Sequence, residues 1–276
     1  MASSDPLELG PHLWRWGLAP EGEPIRSATG VVQFVRRDGE PLALKLVTHE
    51  DEAGQADVLA RFGGQGAVRL IDRNGPAMLM ERAMPGGPLA RLVQDGRDDE
   101  AVGVVCEVIS RLHANPPAAG DERTVEIWGA GFDRIRVQAL TQGADAALID
   151  QGQALFTELC RSQGPRRLLH GDLHHDNILE DSTRGWLAID PKGVVGELAY
   201  EAGPSLRNPV QNLELRADPA IVSRRVAIMS ERLELDPERL IGWCFAQAVL
   251  SALWSIEDGA DPAPGWRMAQ AVRPLL

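Results

Sequence analysis

The densest group of reactive side chains in the sequence is His170-Gly171-Asp172-Leu173-His174-His175-Asp176-Asn177, followed thirteen residues after Asn177 by Asp190 in Ile189-Asp190-Pro191. A carboxylate, a carboxamide five residues on and a second carboxylate after a later apolar run make a minimal set for phosphoryl transfer. In that reading Asp172 accepts the proton of an attacking hydroxyl, while Asn177 and Asp190 offer oxygen ligands that hold magnesium against a nucleotide's phosphates. Such chemistry asks little covalent participation of the protein; it needs positioning and neutralisation of charge. A second reading takes His170, His174, His175 and the aspartates as ligands of a zinc or binuclear hydrolase site. In a third, the segment is a polar loop whose histidines cap strands and whose aspartates lie in solvent.

The residues that surround this group favour the first reading. Lys45 lies inside an apolar run (LALKLV), where an ammonium is costly to bury without an anion; the α- and β-phosphates of a nucleotide would be one. Of the 28 basic residues only Lys45 and Lys192 are lysines, and a compact ammonium on a flexible stem is what arginine cannot replace. Lys192 follows Asp190 by two positions, which suits either a reach toward phosphate or substrate or a surface role. Residues 23–30 (EPIRSATG) read as the turn before the first strand, where the hydroxyls of Ser27 and Thr29 and the backbone amides can donate to phosphate. The zinc reading leaves Asn177, Lys45 and the strand-rich beginning of the chain without a role.

These side chains need elements to converge them. Residues 30–37 and 41–47 are β-branched or alternating runs joined by Asp38-Gly39, a hairpin signal. Residues 49–62 suit a short amphipathic helix closed by Gly63-Gly64, and residues 68–72 and 77–81 a second strand pair around Asn74-Gly75. MPGGP at 84–88 reads as a connector between two lobes, 1–84 strand-rich and 85–276 mainly helical. Helices are expected over 98–113, ending at Asn115-Pro116-Pro117, and over 132–161 with a break near Gly143. Residues 167–190 interrupt them as a small hairpin, and Asp236-Pro237-Glu238 is a helix start. The expected class is therefore α+β.

A chain of 276 residues makes one or two domains at about 150 residues each, and can bury a core without metal or disulfide staples. Its net charge of −12 argues against nucleic acid as a partner. The most apolar stretch, residues 240–254, falls short of the roughly 20 residues that span a bilayer and reads as a buried helix, so no membrane partner is expected. No secretion signal is visible at the start, and Cys106, Cys160 and Cys244 are odd in number and set among apolar residues, as reduced thiols of a cytoplasmic protein would be.

With strand, lysine, helix, connector, HGD-x-x-x-x-N and IDP in this order, the chain resembles the protein-kinase-like fold and, within it, the aminoglycoside phosphotransferase family. HGDLHHDNIL, WLAIDPKGVVGE and AYEAGPSLRNP look like its streptomycin 6-phosphotransferase and hydroxyurea phosphotransferase branch; the resemblance runs from about residue 25 to 209. It implies a bilobal fold with a small antiparallel sheet, ATP and magnesium as cofactors, and transfer of the γ-phosphate to a hydroxyl of an aminoglycoside-like acceptor. It implies Asp172 as base, Asn177 and Asp190 on magnesium, Lys45 on the phosphates and adenine against the backbone of Glu81 and Ala83. His170 would pack the catalytic loop and Glu201 brace it. Where the family pairs the lysine with a helix glutamate, this chain aligns Gln55, with Glu52 one turn earlier. Glu257, Asp258 and Asp261 beside Trp254 suit a cationic, hydroxyl-rich small molecule. A nucleotide-binding regulator without turnover is the remaining alternative.

Overall fold

The fold is described from a computed structural model covering residues 9–27, 29–49, 54–114, 123–209 and 212–276. The N-terminal part runs α1 (Gly10–Arg15), β1 (Ala19–Arg26), β2 (Gly30–Arg37), β3 (Glu40–Val47), α2 (Gln55–Phe62), β4 (Leu70–Asn74) and β5 (Ala77–Glu81). Its strands form one antiparallel sheet in the order β1-β2-β3-β5-β4. Asp38 and Gly39 close the β2–β3 hairpin with φ of 53° and 87°, the two positive values that a tight hairpin turn of this kind needs.

β3 is the middle strand and is buried from Leu42 to Val47. The two-residue period puts Leu42, Leu44 and Leu46 on one face, against Trp16, Leu18, Val35 and Leu79. Ala43 and Val47 point to the other face, into the main core, and Lys45 shares that side, opposite Val32 and Met78 in register. The strand's alternation thus turns one ammonium inward, toward the rest of the chain.

Two elements of this region were not expected. Residues 23–26 belong to β1 rather than to a turn, so the turn of the β1–β2 hairpin shrinks to the segment around Ser27 and Thr29. β1 buries no residue and carries two prolines, so it has no apolar alternation to read; it is an edge strand, where proline's missing donor does no harm. α1 likewise buries nothing of its own, but Trp16 behind it donates to Asp72 Oδ2 at 2.8 Å and fixes it over the sheet. The described part of α2 begins at Gln55; Glu52 lies outside the described residues, as do Pro116 and Pro117.

The remainder runs β6 (Pro85–Pro88), α3 (Ala90–Gln94), α4 (Asp98–Leu112), α5 (Val125–Gly129), α6 (Gly131–Thr141), α7 (Ala146–Arg161), β7 (Arg166–Leu169), β8 (Ile178–Asp181), β9 (Gly185–Ala188) and β10 (Val194–Glu197). It continues with α8 (Leu198–Glu201), α9 (Gly203–Leu206), α10 (Leu213–Arg216), α11 (Pro219–Leu233), α12 (Pro237–Glu257) and α13 (Ala263–Val272). The MPGGP segment is more than a connector: β6 forms the edge of a β6-β8-β9 sheet, and the Met84 amide donates to Asp181 Oδ2 at 3.1 Å. α12 is the central helix, started by Asp236 accepting from the Glu238 amide at 2.9 Å. With 21 residues it is longer than the apolar run expected and meets the length and composition of a membrane span. Residues 242–250 are all buried, and a helix enclosed on every side is apolar all round.

Candidate active site

The segment between β7 and β8 holds the reactive cluster, and its shape is imposed from behind. His170 is fully buried; its Nδ1 accepts from the Asp172 amide at 3.2 Å and its Nε2 lies 2.7 Å from the Ile189 carbonyl. An accepting Nδ1 assigns the proton to Nε2, so the ring donates to Ile189 as a neutral imidazole; burial, which lowers its pKa, keeps it so. Glu201, also fully buried, takes the His170 amide on one oxygen at 2.6 Å and the Gly171 amide on the other at 2.9 Å. Burial alone would raise its carboxyl, but His113 and the Gly171 amide outweigh that and hold it below the usual range. A buried carboxylate thus grips two successive amides of the loop. Gly171 has φ +84°, and a Cβ there would stand 3.0 Å from Trp128 and from Val194.

This brace presents Asp172 half-exposed. Asn177 donates from Nδ2 to the Asp172 carbonyl at 2.9 Å, which leaves its own side-chain oxygen as an acceptor. The Asn177 carbonyl takes the Ile189 amide at 2.9 Å, so Asn177 and the Ile189-Asp190 pair lie side by side where β8 and β9 meet. Asp190 holds a left-handed backbone, φ +56°, and its Oδ1 is 2.9 Å from Lys45 Nζ. Lys45 is 3% exposed. The buried ammonium therefore has an anion within the protein; Asn177 is tied to the Asp172 carbonyl on one side and to Ile189, the residue before Asp190, on the other. A carboxamide oxygen and a carboxylate suit a hard divalent cation such as magnesium.

The zinc arrangement does not assemble. Among the described residues no group of three or more His, Cys, Asp or Glu side chains is placed to hold a metal ion. His170 faces Ile189, His175 is buried beside Arg225 and Asp98, and only His174 turns to the open side, 3.8 Å from Asp172 Oδ2.

At the β1–β2 turn the Ser27 hydroxyl donates to the Gly30 carbonyl at 3.2 Å and accepts from the Thr29 amide at 3.3 Å. The Thr29 carbonyl takes the Thr48 amide at 2.9 Å, tying the turn to the end of β3. The Glu81 amide is taken by Arg69, and its carboxylate by Arg69 and Arg184. The Ala83 amide finds no acceptor among the described residues. Gln55 is buried at the start of α2.

Asp172 opens on a cleft of about 870 Å³ that Lys192 also lines; Lys45, Asn177 and Asp190 lie outside it. Trp254 is in the cleft wall as expected, joined at 5.9 Å by Trp128, which packs at 6.1 Å on Tyr200, the single tyrosine of the chain. Glu257, Asp258 and Asp261 line it too, but Glu257 is held by Arg134 at 2.6 and 2.8 Å. The sequence singles out neither Trp128 nor the arginines of this cleft as site residues, although Arg207 lies within the motif AYEAGPSLRNP.

The family described as "Aminoglycoside/hydroxyurea antibiotic resistance kinase" matches residues 15–259. The chain belongs to that family. It is a phosphotransferase with the protein-kinase-like fold. It is 36% identical to a streptomycin 6-kinase of Streptomyces griseus over 89% of this chain and 81% of that one. A streptomycin 3''-kinase of Klebsiella pneumoniae is 34% identical (89% and 91% covered), and a hydroxyurea phosphotransferase of Kitasatospora aureofaciens 34% identical (96% and 77%). Among solved structures, a thermostable mutant of aminoglycoside phosphotransferase APH(4)-Ia with ADP and hygromycin B aligns at TM-score 0.63 and 16% identity, covering 95% of this chain and 96% of that one. A choline kinase of Cryptosporidium parvum aligns at 0.61 and 13%, with 92% and 88% covered. At these identities both speak for the fold alone.

Proposed function

We propose that this protein transfers the γ-phosphoryl group of ATP to a hydroxyl of an aminoglycoside-like small molecule. The observation that carries the reading is that Lys45 pairs with Asp190 while Asn177 joins the Asp172 carbonyl to the Ile189 amide just before it, with only Asp172 of these four opening into the large cleft. Nucleotide and acceptor would then meet across Asp172, the nucleotide on the side of residues 1–84 and the acceptor within 85–276. Asp172 accepts the proton of the acceptor hydroxyl, and its carboxylate is aimed by the Glu201 brace. Lys45 holds the α- and β-phosphates, the Ser27 and Thr29 turn covers them, and the backbone of Glu81 and Ala83 takes adenine. Asn177 and Asp190 would hold magnesium, which when bound supplies the positive charge that shields the phosphates from one another. Lys45 keeps Asp190 in place until then.

The relatives named for streptomycin 6- and 3''-kinase activity favour an aminoglycoside, and the aromatic wall with Asp258 and Asp261 suits a cationic ring bearing hydroxyls. The test is an ATP-consumption assay across streptomycin, other aminoglycosides and hydroxyurea. Asp172→Asn is expected to lower turnover by at least about 100-fold, as loss of a general base does, while ATP with magnesium still raises the melting temperature. A regulator without turnover would consume no ATP with any acceptor. Full turnover in Asp172→Asn removes the base assignment.

A further inference from the structure

The cleft that Asp172 opens into is not the acidic pocket that the chain's overall charge suggests. Its lining carries five basic residues, Arg123, Arg134, Lys192, Arg207 and Arg216, against four acidic ones, Asp172, Glu257, Asp258 and Asp261. Two of the arginines stand apart. Arg216, in α10, is 4% exposed, and its Nε and Nη2 have no hydrogen-bond partner among the described residues. Its Nη1 donates to the Arg207 carbonyl. Arg207, just after α9, leaves its own Nε without a partner. No described carboxylate lies within ion-pair distance of either. Burial, and for Arg216 also Arg207 and Arg225, pushes both guanidinium groups below their usual range, Arg216 to about 10.

A buried guanidinium with donors unmade is costly, since neither water nor a counter-ion offsets its desolvation. The neighbouring Arg225 shows the usual remedy: its Nε and Nη2 meet both oxygens of Asp98 at 3.1 and 2.6 Å, and its Nη1 donates to the Asn208 carbonyl at 2.8 Å. That anchors residues 205–208 and hence the position of Arg207. Neither Arg207 nor Arg216 is paired with a carboxylate in this way; Asp172 acts on Arg207 only through space, and both guanidinium groups line the cavity instead.

Resting on the kinase reading of the same cleft, we infer that Arg207 and Arg216 form an oxyanion-binding subsite on the acceptor side of Asp172. The ligand is a tetrahedral or planar group with several oxygens, which the guanidinium fork meets with paired donors. Two sources fit that chemistry: a group of the incoming acceptor, or the phosphoryl group just transferred to it. Asp258, Asp261 and the tryptophans of the same cleft take cationic or apolar parts, so the subsite sets how a dipolar acceptor is oriented.

The test uses sulfate as probe on the whole protein, with AMP-PNP and magnesium saturating the nucleotide site and chloride balancing the ionic strength. A melting temperature that does not respond to AMP-PNP would speak against the kinase reading and leaves the sulfate titration readable. The melting temperature is expected to rise saturably with sulfate, and the apparent sulfate Kd to rise at least about tenfold in Arg216→Met and in Arg207→Met. Arg216→Met removes an uncompensated buried charge, so without ligand it is expected to melt no lower than the parent. Arg207→Lys, which keeps the charge and loses the fork, is the second variant should Arg207→Met not fold. Absence of any sulfate response, or an equal response in parent and both variants, overturns the proposal. With streptomycin, which bears no oxyanion, as acceptor, an acceptor-borne group predicts KM and kcat both unchanged in Arg216→Met. A product phosphate predicts an unchanged KM and a lowered kcat.

Discussion

His175 is one residue away from Asp176 and two from Asn177, yet it does a different job from either. It is 1% exposed, and neither ring nitrogen has a hydrogen-bond partner among the described residues. Burial, and then Arg225, lower its pKa to about 3. Between pH 6.5 and that value the unfolded chain binds a proton that the folded chain refuses. The stability is therefore complete above pH 6.5 and falls below it, by about 1.4 kcal/mol for each pH unit. His170, whose pKa is also lowered by burial, acts in the same direction. His175→Leu replaces a ring that makes no hydrogen bond with an apolar group that does not titrate. Urea midpoints measured from pH 7 to 4.5 should fall less steeply in this variant than in the parent; equal slopes would place His175 in water. The Glu201 carboxylate, held low by His113 and the Gly171 amide after burial is counted, loses its contribution only at lower pH, as the pH falls through its depressed pKa.

At the scale of elements, the surroundings of residues 170–177 are held by parts that come from far along the chain. Asp98 opens α4, and Arg225 lies in the middle of α11; their bidentate pair is buried on both sides. Removing one member leaves a charge in the core. Asp98→Ala is expected to cost about 3–5 kcal/mol in urea unfolding. The double variant Asp98→Ala with Arg225→Met should recover most of that, because the orphaned guanidinium goes with its partner. If the single variant lost less than about 1 kcal/mol, water would be reaching Arg225. α12 takes part through close approach: a Cβ on Gly203 would come within 2.2 Å of the Gln247 side chain, which donates to the Tyr200 carbonyl at 2.9 Å. Gly203→Ala should therefore destabilise by about 1–3 kcal/mol through overpacking, read as a lowered melting temperature.

Over the whole molecule, charge and core tell different stories. A net charge of −12 draws cations toward the protein, but the cleft in which an acceptor would bind carries five basic and four acidic residues. Long-range attraction and local recognition are thus separate. The thiols follow burial: Cys106 and Cys244 are buried and pushed up to about 11 and about 12, and Cys160, half-buried, to about 12. A thiolate is the reacting form. Labelling with a disulfide reagent at pH 8 should reach Cys160 first and the other two only as the protein unfolds; rapid reaction of Cys106 or Cys244 would mean that the core opens near α4 or α12.

How much was legible in advance follows from how far apart the interacting residues are. HGD-x-x-x-x-N, the Asp of IDP and the lysine inside an apolar strand are contiguous or short-range patterns, and hydrophobic alternation with Asp38-Gly39 was enough to place Lys45 on a hairpin. The helix start at Asp236-Pro237-Glu238 was local too. β1 and α1 bury nothing of their own, so they left no pattern to read. By itself the sequence offered candidate groups for the chemistry and the kind of element that carries each one. Only the tertiary structure decided that Asp190 is the anion at Lys45, that Glu201 grips two amides of the catalytic loop, and that Arg207 and Arg216 share a cavity with Asp172. Those outcomes depend on which distant groups are buried together, and desolvation belongs to the packed chain rather than to any stretch of it.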